Sequence, residues 1–209
     1  MPDFLLERAS LTEGFKVVCG VDEAGRGPWA GPVVAAAAIL DEKSLSPELL
    51  GGIDDSKKLK ADRREALYSL FAPDVQIGIG IAGVDEIDDL NILRATLMAM
   101  KRAVENLPTQ PDFALIDGNR APDLGPVKTR YVVRGDGISL SIAAASIAAK
   151  VTRDRIMKDL AETFPGYGWE RNAGYGTAEH QAALKRLGVT SAHRKSYAPI
   201  RKILRPDAV

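Results

Sequence analysis

Residues 17–40 read Val17-Val18-Cys19-Gly20-Val21-Asp22-Glu23-Ala24-Gly25-Arg26-Gly27-Pro28-Trp29-Ala30-Gly31-Pro32-Val33-Val34-Ala35-Ala36-Ala37-Ala38-Ile39-Leu40. Two apolar runs, Lys16 to Val21 and Val33 to Leu40, flank a connection rich in glycine and proline. That arrangement predicts two strands joined as a hairpin. Asp22-Glu23 closes or interrupts the first strand. A carboxylate in a valine-rich strand faces either the core, where an uncompensated charge is costly, or a site that uses it.

Further along, Val75, Ile77, Ile79 and Ile81 alternate with Gln76, Gly78 and Gly80, a period of two that predicts a third strand. Leu93, Leu97, Met100 and Val104 recur at spacings of three and four within Asn91 to Asn106, which predicts an amphipathic helix ended by Pro108. Phe113 to Ile116 and Thr129 to Val133 read as short strands. Ser139 to about Leu160 reads as a long alanine-rich helix, with Ile142, Ala145, Ala149 and Ile156 near one face. Helical pieces follow at Ala178 to Leu187 and Tyr197 to Leu204. Strands that come first in a cluster and then alternate with helices predict an α/β layer built on a mixed sheet.

The chain has 209 residues, 45% of them hydrophobic and 27% charged, which suits one soluble domain with a full core, residues 1–209. A single cysteine, Cys19, excludes an internal disulfide and reads as a small buried hydrophobe. No basic start followed by an apolar stretch marks a signal peptide, and no apolar run is long enough to span a bilayer. A cytoplasmic protein without membrane attachment is expected. Residues 1–127 hold 13 Lys and Arg against 21 Asp and Glu, whereas 128–209 hold 15 against 7. A basic half suggests a polyanionic partner, or two solvated faces that happen to differ.

Three acidic sites fall at predicted strand ends: Asp22-Glu23, Asp117 before Gly118, and Asp136 between Gly135 and Gly137. Asp before glycine also serves ordinary turns, so Asp117 and Asp136 taken singly read either way. Taken together, clustered carboxylates repel one another, and hard oxygen ligands suit Mg²⁺ or Mn²⁺. Two such ions can clamp the attacking and leaving oxygens of a phosphodiester. His180 and His193 lie far apart in a chain with one cysteine, so no zinc set is visible, and both read as structural. Gly25-Arg26-Gly27 lacks the Gly-Lys-Ser/Thr ending of a Walker loop.

Read together, the motifs resemble the bacterial type 2 ribonuclease H (ribonuclease HII) family. They are Gly20 to Pro28 with Gly31-Pro32, Asp55-Ser56-Lys57-Lys58-Leu59, Asp117-Gly118, Gly135-Asp136, Ala144 to Asp154, Gly174-Tyr175-Gly176-Thr177 and His193-Arg194. The resemblance implies a ribonuclease H-like fold: a mixed five-stranded sheet, flanking helices, and a small C-terminal helical part over about residues 165–209. It implies endonucleolytic cutting of RNA paired with DNA, or of single ribonucleotides embedded in duplex DNA, by a monomer. By motif position Asp22, Glu23, Asp117 and Asp136 correspond to the catalytic, metal-holding acids. Asp154 competes for the fourth place, but its position between Arg153 and Arg155 favours a structural ion pair. Gly25, Arg26 and Gly27 correspond to the turn that reads the ribose 2′-hydroxyl, the group that separates RNA from DNA. Tyr175 corresponds to the tyrosine at the RNA–DNA junction. Lys57, Lys58, Lys150 and Arg153 are candidate phosphate contacts. Where many members carry Lys before the Gly-Tyr pair, this chain has Ala173. No room is expected for the N-terminal substrate-binding domain of type 3 enzymes, and no partner-binding tail is expected after Arg205-Pro206. A DNA-junction nuclease using the same acids and a non-catalytic hybrid-binding module are the rival expectations.

Overall fold

The structure, a computed structural model, describes residues 1–205; the single-domain and tail expectations for 206–209 lie outside the described residues. In chain order the elements are α1 (Leu5–Thr12), β1 (Val18–Ala24), β2 (Val33–Leu40), α2 (Pro47–Gly52), α3 (Ala61–Ser69), β3 (Val75–Ala82), α4 (Val84–Leu90), α5 (Ile92–Glu105), β4 (Phe113–Asp117), β5 (Lys128–Val132), α6 (Leu140–Thr163), α7 (Trp169–Asn172), α8 (Ala178–Leu187) and α9 (Ala198–Leu204). The sheet order is β3-β2-β1-β4-β5, with β1–β2 and β2–β3 antiparallel and β1–β4 and β4–β5 parallel. The expected mixed five-stranded α/β sheet is present.

Strand alternation sorts the side chains between two helical layers. Ala36, Ala38, Ile77 and Ile79 face α6, with α2 and α3 beyond it. Val33, Ala35 and Ala37 face α5 together with Cys19, Val21 and Ile116. The glycines of β3 are buried under α5. A Cβ on Gly78 or Gly80 would lie 2.1 Å from Ala103 O or 2.0 Å from Ala99 O, so α5 rests directly on that backbone. On the other layer, a Cβ on Gly20 would lie 2.2 Å from Ile142 N. The alanine run of α6 thus lets the helix touch the central strand. Replacing Gly20 by Ala should cost about 3 kcal/mol, at or beyond the upper end of ordinary overpacking, because a helix backbone rather than a side-chain tip must move. Urea unfolding measures it, and an unchanged midpoint would contradict the close approach.

Helices α2, α4 and α7 are only four to seven residues long, too short to show a clear period, and α3 fully buries only Leu67. They form because tertiary packing supplies what local pattern lacks. The C-terminal residues build a separate cluster around Trp169, Tyr167, Ala183, Leu184 and Ile200, into which Ala30 and Met157 reach from the sheet layer. Among the described residues no helix is long and apolar enough to cross a membrane.

Candidate active site

Asp22 and Glu23 lie inside β1, not at its end, because the ladder with β2 runs on to the pair Ala24–Val34. Across the parallel ladder Val21 pairs with Ile116, so the next residues along, Asp22 and Asp117, sit side by side on adjacent strands. Carboxyl ends of parallel strands are where rigid backbone and open loops meet. Asp136 is brought to them by a tight turn, Gly135–Gly137, entered through Arg134 at φ 58° and tied down by Gly135 N donating to Asp117 Oδ1 at 2.6 Å. Period two separates the paired acids. Asp22, opposite Ala36, lies toward α6, where the Ser146 hydroxyl favours its ionised form. Glu23, opposite Ala35, lies toward α5.

Two clefts flank the acids. One of about 280 Å³ on the α6 side is lined by Asp22, Glu23, Asp117, the Gly25–Gly27 turn, Lys57 and Tyr175, with Ser56, Ser146, Lys150 and Arg153. One of about 170 Å³ on the α5 side shares Glu23, Arg26 and Asp117 and adds Asn119 and Arg120.

Burial pushes the Asp22 carboxyl well up, reinforced by the charges of Glu23 and Asp117. Glu23 is likewise raised by burial, although Arg26 opposes the shift. Asp117 is raised by burial and by Asp136, against the hydrogen bond from Gly135. Two cations answer part of this charge: Lys57 Nζ lies 3.0 Å from Asp136 Oδ2 and Arg26 Nη1 lies 3.2 Å from Glu23 Oε1. Burial works against the Lys57 ammonium, but the hydrogen bond to Asp136 and the charges of Asp136, Asp22 and Asp55 together outweigh it and raise its pKa. Among the described residues, no three Asp, Glu, His or Cys side chains converge as a ready cage. The donor set nevertheless fits a hard divalent cation. Its members are carboxylate oxygens, and three of them are held where ionisation is disfavoured until positive charge arrives.

The remaining candidates divide. Tyr175 stands 48% exposed at the cleft, its Cε1 3.4 Å from where a Cβ on Gly27 would lie. Lys150 lines the cleft while pairing with Asp154 at 2.5 Å. Asp154 is a structural ion-pair residue, bonded to Lys150 and also to Arg64 at 3.4 Å. Lys58 is not brought to the acids; it pairs with Asp54 at 3.3 Å. Arg153 as a phosphate contact is corrected. It is 1% exposed and donates to the carbonyls of Pro32, Ala173 and Ala30 at 3.0, 3.0 and 3.2 Å, so its guanidinium is committed to backbone beneath the turn. Burial, with the nearby charge of Arg194, lowers its pKa to about 10. Ala173 itself takes φ 46°, and its carbonyl is one of those Arg153 holds.

His180 and His193 are fully buried, joined Nε2 to Nε2 at 3.1 Å, and packed edge-to-face against Tyr167 and Trp169. Burial lowers both pKa values, that of His193 to about 4, so the pair is neutral packing. Cys19 is fully buried and its thiol is pushed up to about 12 by burial. The sequence gives no role to Ser146, Ser56, Asn119, Arg120, Arg194 or Tyr197. Only Ser146, a hydroxyl inside an alanine run, offered a local signal.

Residues 19–200 match the family model described as Ribonuclease HII. Ribonuclease HII of Rhodospirillum rubrum is 58% identical, the alignment taking in 100% of this chain and 94% of that protein. Ribonuclease H2 of Pyrococcus horikoshii OT3 shares the fold at TM-score 0.75 and 27% identity, covering 91% of this chain and 98% of that one. The RNase HII of Archaeoglobus fulgidus, solved in complex with PCNA, matches at TM-score 0.69 and 25% identity over 87% and 95% of the two chains. With Asp22 and Glu23 inside β1 set beside Asp117 at the carboxyl end of β4, and a relative this similar along its whole length, the chain belongs to the ribonuclease HII family, metal-dependent endonucleases that cut the RNA of RNA–DNA hybrids.

Proposed function

We propose that this protein cuts duplex DNA at single embedded ribonucleotides, a step in their removal, and also cuts longer hybrids, leaving 5′-phosphate and 3′-hydroxyl ends. The observation that carries this reading is the juxtaposition of Asp22, Glu23 and Asp117 with the Gly25–Gly27 turn and Tyr175 around one cleft, with Asp136 tied to its rim through Lys57. Asp22, Glu23, Asp117 and Asp136 would hold two Mg²⁺ or Mn²⁺ ions. Bound there, such ions supply Lewis-acid chemistry: they activate an attacking water and neutralise the departing 3′-oxygen.

The chain's own residues do the positioning. At Gly25, φ 97°, a side chain is excluded, so the peptide groups of the turn can approach a ribose and hydrogen-bond its 2′-hydroxyl. Tyr175 offers a ring face to the sugar that follows, where a missing hydroxyl leaves room for apolar contact. Lys57 and Lys150 at the rim hold phosphates without reading sequence, so binding weakens as salt rises. The exchange of Lys57 from Asp136 to a substrate phosphate would free that carboxylate for a cation. We further propose action as a cytoplasmic monomer; the PCNA complex is that of the archaeal relative.

The test is a labelled DNA duplex carrying one ribonucleotide, incubated with Mg²⁺ beside an all-DNA duplex. A cut on the 5′ side of the ribonucleotide with the control intact supports the reading. Cutting of a long hybrid alone withdraws the junction role of Tyr175, and cutting of all-DNA junctions favours a DNA nuclease.

A further inference from the structure

The Gly25-Arg26-Gly27 turn is gripped from below by one side chain. Arg194 is fully buried, and its guanidinium donates to the carbonyls of Gly25 at 2.6 Å, Gly31 at 2.9 Å, and Arg26 and Pro32 at 3.0 Å each. It also donates to Tyr197 Oη at 2.9 Å, and that hydroxyl donates to the Arg26 carbonyl at 2.5 Å. The backbone beside it is stitched to the same region, with Arg194 N donating to Trp29 O at 2.8 Å and Gly31 N to Ala192 O at 2.9 Å. Four carbonyls of one connection therefore converge on one planar fork from more than 160 residues along the chain. Arg153 lies next to it, holding Ala30 and Pro32 of the same connection and Ala173, two residues before Tyr175.

Carbonyl orientation fixes peptide-plane orientation. Holding the Gly25 and Arg26 carbonyls inward turns the peptide N–H groups that follow them, at Arg26 and Gly27, outward toward the cleft. A guanidinium is suited to this because its five N–H groups diverge in one rigid plane. An ammonium has three donors and no such plane. Both buried arginines find carbonyl dipoles rather than carboxylates as partners, so their charge also stands uncancelled beneath the turn.

We propose that Arg194, with Tyr197, is the positioning residue for ribose recognition: it sets the peptide planes of Gly25 and Arg26 against the substrate and makes no contact with substrate itself. This deepens the reading of the turn as the ribose-sensing element and rests on it.

The test compares wild type with Arg194→Lys, Arg194→Gln and Tyr197→Phe. Cleavage of the single-ribonucleotide duplex in Mg²⁺ gives kcat and KM, and the all-DNA duplex, added as a competitor, gives its inhibition constant. The ratio of that constant to KM measures ribose discrimination, and thermal melting reports folding. Both Arg194 variants should lose about a hundredfold in kcat/KM, carried mainly by KM, as expected for misplacement of a binding group. Their discrimination ratio should collapse, the lysine no better than the glutamine, because the fork rather than the charge is needed. Tyr197→Phe removes two hydrogen bonds, the one accepted from Arg194 and the one donated to the Arg26 carbonyl, and should lower the ratio about fivefold with only a small drop in melting temperature, since Arg194 keeps its carbonyl partners. It decides the matter if the Arg194 variants do not fold. A purely structural Arg194 would move the melting temperature and leave KM and the ratio at wild-type values in every variant that folds; that result overturns the proposal, as does full rescue by lysine. A wild-type enzyme that fails to distinguish the two duplexes overturns instead the ribose-sensing reading on which it rests.

Discussion

Asp117→Asn should bind the ribonucleotide duplex and fold normally, yet cleave roughly a thousandfold or more slowly, the loss expected when a ligand supporting several kcal/mol of metal-ion stabilisation is removed. The substitution keeps shape and removes only charge, and its neighbours predict a second effect. Asp22, Glu23 and Asp117 all have raised pKa values, chiefly through burial, with neighbouring carboxylates adding to it: Glu23 and Asp117 act on Asp22, Asp117 on Glu23, and Asp136 on Asp117. Below the ordinary carboxylate range, about pH 4, these groups are neutral whether the chain is folded or not, and the native state carries no penalty. As pH rises through the raised values, the unfolded chain ionises freely while the folded one resists. Stability present at low pH is therefore lost toward neutrality. Asp117→Asn removes one contributor, so in EDTA it should be more stable than wild type at pH 7, with a shallower decline. Single-turnover cleavage checks the first effect and urea unfolding across pH the second. An Asp117→Asn protein that cuts at the wild-type rate would remove Asp117 from the catalytic set.

Gly25→Ala should be nearly as damaging by a different route. Gly25 sits at φ 97°, and a Cβ there would lie 2.0 Å from Arg153 Nε and 2.4 Å from Arg153 Cδ. The strained backbone costs about 1–2 kcal/mol and the overlap about 1–3 kcal/mol more, so a stability loss of about 2–5 kcal/mol is expected. Arg153 has no free direction to retreat, since its other contacts are the carbonyls of Ala30, Pro32 and Ala173. Displacing it shifts the turn against Tyr175, and kcat/KM should fall about a hundredfold. Gly27→Ala is the internal comparison. Its Cβ would meet nothing nearer than Tyr175 Cε1 at 3.4 Å, ordinary contact, so stability should stay within about 0.5 kcal/mol of wild type. Equal destabilisation by the two substitutions would contradict the packing described for Arg153.

What the sequence alone determined is what depends on near neighbours. The apolar run of Val33–Leu40, the alternation in Val75–Ala82 and the three-four spacing in Ile92–Glu105 are local, and those elements form within a residue or two of expectation. Asp22-Glu23 stood out for the same reason, since a carboxylate pair in a valine-rich strand is anomalous whatever packs later; Asp117 and Asp136, each beside glycine, read equally as turn residues and were singled out only as a set. The motif order also carried the family and the fold. Tertiary structure alone decided the fate of the charged side chains. Lys57, Lys58, Lys150, Arg153 and Arg194 look alike as basic residues in motifs. One meets Asp136 from 79 residues away, one turns back to Asp54, one divides itself between the cleft and Asp154, and the two arginines disappear beneath a turn 121 to 169 residues distant. A long flexible side chain takes its role from whichever acceptors the fold brings within about 3 Å, and that set is assembled by β1, β4, α6 and the C-terminal helices together. Local pattern sets where a strand ends; only the closed fold sets what an arginine holds.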